Sequence, residues 1–100
     1  MIEYDDDGYP TDESLSFIEE YPIKNFSDCH DLMEIISSNM IYYGRCEFRD
    51  IDGVWEFATG GWSGCEDIIG SLKRNTMFWL FAWLMSKRGG YYEFQTKKVN

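Results

Sequence analysis

The sequence predicts an α+β domain, a four-stranded antiparallel sheet with helices on one face, in the order α-α-β-β-α-β-β. Three observations predict it. Apolar residues recur at helical spacing up to about residue 40. Aromatic and β-branched residues then crowd two short runs joined by Asp52-Gly53. A glycine pair, Gly89-Gly90, sits between a long apolar run and Tyr91-Tyr92-Glu93-Phe94, as in a hairpin return.

Residues 1–9 read as a flexible acidic lead-in, and residues 10–100 as one domain. Pro10-Thr11-Asp12-Glu13 marks a helix start, with Thr11 as cap and two acids on the positive end of the dipole. Leu15, Ile18 and Tyr21 form its apolar stripe, and Pro22 ends it. Ser27 reads as the cap of a second helix running to Ser38, with Leu32, Ile35, Ile36 and Met40 on one face.

Strands are expected over 41–50 and 54–59, with Gly60-Gly61 closing the second. Ser63-Gly64-Cys65-Glu66 reads as a capping box. The helix it opens buries Ile68, Ile69 and Leu72, carries Lys73 and Arg74 at its C-terminal end, and stops at Asn75. Met77–Met85 is an apolar run whose period does not separate helix from strand. The glycine pair after it favours a strand over 77–86. That strand would show Phe78, Leu80, Ala82 and Leu84 on one face and Trp79, Phe81, Trp83 and Met85 on the other. A sheet covered on one face has one core side, so the second row would need a cover: the N-terminal chain, a second copy or a partner.

The chain of 100 residues is 44% apolar and 18% aromatic, which excludes a disordered class. Its formal charge of −9 argues against direct nucleic-acid binding, which needs Lys and Arg to displace counterions. The charge is uneven. Residues 1–34 hold eleven acids and one base, a net −10; residues 35–100 hold seven acids and eight bases, a net +1. The N-terminus lacks a basic and apolar leader, and the apolar run is too short for a bilayer span. Three cysteines, Cys29, Cys46 and Cys65, with no C-x-x-C pair, read as reduced thiols in a cytoplasm, with no zinc site.

Catalytic motifs fail on inspection. Gly61-Trp62-Ser63-Gly64 lacks the fifth residue of a nucleophile elbow, which is Cys65 here. His30 is a lone imidazole without an evident partner. The glycine turn lacks the lysine of a P-loop. Asp5-Asp6-Asp7-Gly8 places Ser14 where a calcium loop needs Glu. No enzyme activity, cofactor or metal is expected.

Tyr9-Pro10-Thr11-Asp12-Glu13 with Leu15 and Ile18 resembles the opening of a group of small phage-borne and bacterial proteins of unknown function. Thr59-Gly60-Gly61-Trp62-Ser63-Gly64, then Phe78-Trp79, Trp83 and Ser86-x-Arg88-Gly89-Gly90-x-Tyr92-x-Phe94, resembles their second half. Members usually carry Asn where this chain has Cys65. The resemblance implies a mobile-element origin and supplies no activity. Small phage proteins often act by binding host machinery.

The resulting expectation is a non-enzymatic protein that binds and inhibits or modulates a host protein with a basic surface, such as a nucleic-acid-binding effector, as an anti-defence factor (anti-CRISPR or anti-restriction). Asp5, Asp6, Asp7, Asp12, Glu13, Glu19 and Glu20 are the acidic candidates for contact, and Trp62, Trp79, Trp83 and Arg88 the others. A homodimer is a further expectation. Two alternatives stand beside this reading. One is an immunity or antitoxin protein that neutralises a basic toxin. The other is a small ligand-binding or enzymatic domain using the Gly60–Glu66 turn with Arg88.

Overall fold

The computed structural model describes residues 2–40 and 44–98. Its elements run α1 (Asp12–Glu20), α2 (Phe26–Ser38), β1 (Arg45–Arg49), β2 (Val54–Ala58), α3 (Ser63–Arg74), α4 (Thr76–Ala82), β3 (Trp83–Lys87) and β4 (Tyr91–Gln95). The strands form one antiparallel sheet in the order β1-β2-β4-β3. The α+β class and the four-stranded sheet are as the sequence predicts. The order is not: a fourth helix stands where a strand was expected. Residues 41–43, the start of the first expected strand, lie outside the described residues.

Local chemistry sets the helix starts. Thr11 caps α1 by accepting the Ser14 amide at 3.2 Å. Asn25, not Ser27, caps α2 by accepting the Asp28 amide at 3.0 Å. Ser63 is not a cap. The position before α3 is Trp62, which makes no capping bond, and Ser63 is the first helical residue. The capping-box reading is therefore corrected by one position. The first hairpin also differs from the two-residue turn expected at Asp52-Gly53. Arg49 pairs with Val54, so four residues connect the strands, and Gly53 takes a positive φ of 70°.

Residues 76–82 are helical because Asn75 serves two elements. It ends α3 and caps α4, its Oδ1 accepting the Phe78 amide at 3.2 Å. Its Nδ2 donates to the carbonyls of Ile18 at 2.9 Å and Tyr21 at 3.0 Å. One side chain thus joins α1, α3 and α4. The helix buries Phe78 and Ala82, after which Trp83 turns into β3.

The core lies between the helices and one sheet face. Strand side chains alternate, so the registered rows Phe48–Trp55–Phe94 and Cys46–Phe57–Tyr92 share that face. Phe57, Phe94, Phe78, Leu32, Met33, Ile36, Ile68 and Leu72 are fully buried against one another and Ile18. Each such side chain is worth roughly 1.5–3 kcal/mol of transfer free energy. α1 packs on α3, α3 on α4, and α2 on α4 and β1.

The open sheet face is polar, which overturns the expected second row of aromatics. Glu47, Glu56 and Glu93 stand in register across three strands. Arg49 joins two of them: its Nη1 pairs with Glu56 and lies 3.6 Å from Glu93, and its Nη2 is 2.8 Å from Asp52, while Glu47 lies 3.9 Å from Arg45. These bonds keep the Asp52 carboxyl below the usual carboxylate range. Trp79 and Phe81 sit on α4 instead, while Trp83 and Met85 are on β3. Among the described residues no helix is long and apolar enough to cross a membrane.

Candidate functional site

The N-terminal segment is tied down rather than loose. Ile2 is buried in the core at 4% exposure. Tyr4 bridges Pro10, the Thr11 amide donates to the Glu3 carbonyl at 3.0 Å, and the Glu3 amide donates to Ser14 Oγ at 2.7 Å. Within this loop Asp5 is a structural residue as well as a charge. Its Oδ1 accepts the amides of Asp7 at 2.9 Å and Tyr9 at 3.0 Å, forming an Asx turn.

This tether holds the acids outward. Asp5, Asp6, Asp7, Asp12, Glu13 and Glu20 are exposed, and Glu19 is half-buried. Among the described residues, the acids of 1–34 enter one ion pair, Glu19 with Arg74 at 3.1 Å, and Glu34 accepts a hydrogen bond from His30 at 3.0 Å. The acids from Asp5 to Glu13 enter no ion pair with any described residue.

Trp62 joins the acidic loop through Tyr9. The two rings lie 5.8 Å apart and tilted, and Ser63 Oγ donates to the Tyr9 hydroxyl at 3.1 Å. Gly64 makes room for the indole, since a Cβ there would lie 2.5 Å from it. Tyr9 carries no site signal in the sequence beyond its place beside Asp5–Asp7 and before the Thr11 cap.

The other candidates lie elsewhere. Trp79 and Trp83 stack at 6.0 Å on α4 and β3, with Trp79 also against Phe94 at 5.6 Å. Trp79 is half-buried, and Trp83 is 43% exposed. Arg88 is exposed in the β3–β4 hairpin. That hairpin touches the glycine turn: the Thr59 amide donates to the Gly90 carbonyl at 2.9 Å, and a Cβ on Gly90 would strike Thr59 Oγ1. The two glycine-rich motifs singled out in the sequence are thus neighbours in space.

His30 gains partners that the sequence did not reveal. Its Nε2 is 3.0 Å from Glu34 Oε1 and its Nδ1 is 2.8 Å from Thr96 Oγ1. Carboxylate, imidazole and hydroxyl in line resemble a hydrolytic relay. Two facts make it structural. Thr96 is 1% exposed, and its oxygen also accepts Trp55 Nε1–H at 2.9 Å. With Nε2–H donated to Glu34, Nδ1 accepts the Thr96 hydroxyl proton and every group is satisfied. The relay ties α2 to the end of the sheet and offers no accessible nucleophile. The Glu34 spacing of four residues was legible; Thr96 was not.

Thiol chemistry is also suppressed. Burial pushes Cys29 up to about 12 and Cys65 to about 11, and raises Cys46 as well. The described residues form no pocket and hold no cluster of His, Cys, Asp or Glu suited to a metal. No protein-family model matches this chain, and no curated protein or solved structure matches it either. The surface geometry therefore carries the functional argument.

Proposed function

We propose that this protein binds a host protein through the acidic surface of its N-terminal third, and that it inhibits or modulates that partner as an anti-defence factor. The observation that carries the proposal is the tethered loop. The backbone that bears the acids from Asp5 to Glu13 is tied to the fold and the Asp5 carboxylate is bound within it; the acids are exposed beside Tyr9 and Trp62, and among the described residues they enter no ion pair. Like charges packed this way repel, which costs stability in the free protein. A basic surface relieves that repulsion and speeds encounter. Aromatic rings at the rim supply the desolvated contacts that anchor interfaces. Pre-ordering of the loop removes part of the entropy cost of binding. A nucleic-acid-binding effector has a surface of the required sign. The resemblance to phage-borne proteins favours a defence component as its identity.

The test uses the protein as bait in bacterial lysate, followed by association kinetics with the captured partner. Binding should slow as salt rises, since the Debye length shrinks to about 8 Å at physiological ionic strength. The combined variant D5N/D6N/D7N/D12N/E13Q should associate roughly 10-fold to 1,000-fold more slowly at low salt. Association of that variant at the wild-type rate would reduce the acids to a solubility device.

A further inference from the structure

We draw no further inference here: the strongest candidate, the exposed apolar patch of Met77, Leu80, Trp83 and Leu84 where α4 meets the open edge of β3, carries none, because nothing in the structure shows what covers it.

Discussion

Replacing Asn75 with alanine should loosen three helices at once. The side chain is 4% exposed and makes three bonds, one received from the Phe78 amide and two donated to the Ile18 and Tyr21 carbonyls. Loss of the cap costs about 1 kcal/mol. Each carbonyl left without its amide donor adds about 1 kcal/mol, less for Ile18, which also accepts the Tyr21 amide at 3.3 Å. The total is about 2–3 kcal/mol. In a domain of this size it lowers the melting temperature by roughly 10–20 °C. Asn75→Asp separates the roles. It keeps an acceptor for Phe78 but turns a carboxylate toward two carbonyls, so it should be at least as damaging at neutral pH. Thermal and urea melts followed by circular dichroism give both values. A cost below about 0.5 kcal/mol for alanine, the range of ordinary surface changes, would refute the three-way joint.

Other substitutions test the loops and the thiols. Ser63→Ala should cost less than about 0.5 kcal/mol in a urea melt, because Ser63 donates to an exposed hydroxyl and caps nothing. Gly90→Ala should be far more damaging than Gly89→Ala in parallel melts. Both glycines have positive φ, 82° and 89°, but only at Gly90 does a Cβ strike Thr59, while Gly89 faces open space. The strain at Gly89 alone is about 1–2 kcal/mol. All three thiols should resist a disulfide reagent in the native protein and react once it is unfolded. The buried thiols also set an alkaline limit. Their folded values are raised, so their contribution is complete below the ordinary value of 9.0 and is lost as pH climbs toward about 12. A melting temperature that stays level through that window would contradict it.

Local signals decide the structure where one residue has one job. Thr11 before Asp12-Glu13, the stripe of Ile68, Ile69 and Leu72, and the glycine pair at the β3–β4 turn all matched. The errors fall where a residue serves two elements or a pattern lacks a period. Asn75 reads as a stop in the sequence, and a stop looks like a start when the next helix begins one residue later. The apolar run after it carries no alternation, so neither period could win. Ser63 was displaced from the cap position because Trp62 takes it, packed over Gly64. The polar open face was legible in principle, since Arg45, Glu47 and Arg49 alternate in one strand. What hid it was the aromatic content, most of which the helices cover. In the candidate site, the acids were plain from composition, but their fixed arrangement depends on Ser14 reaching Glu3 across eleven residues.

The burial of Ile2 has a practical side for anyone who handles this protein. A bulky fusion or a surface coupling placed at the front of the chain must leave from a residue whose neighbour is wedged in the interior. Such a label would pull on Tyr4 and the Asx turn and so distort the very carboxylates under study. The rear of the chain is kinder, because Lys97 and Lys98 are exposed and follow Thr96, the last buried residue among those described. Attachment through that end leaves the acidic loop in its native shape and turned toward whatever is offered to it.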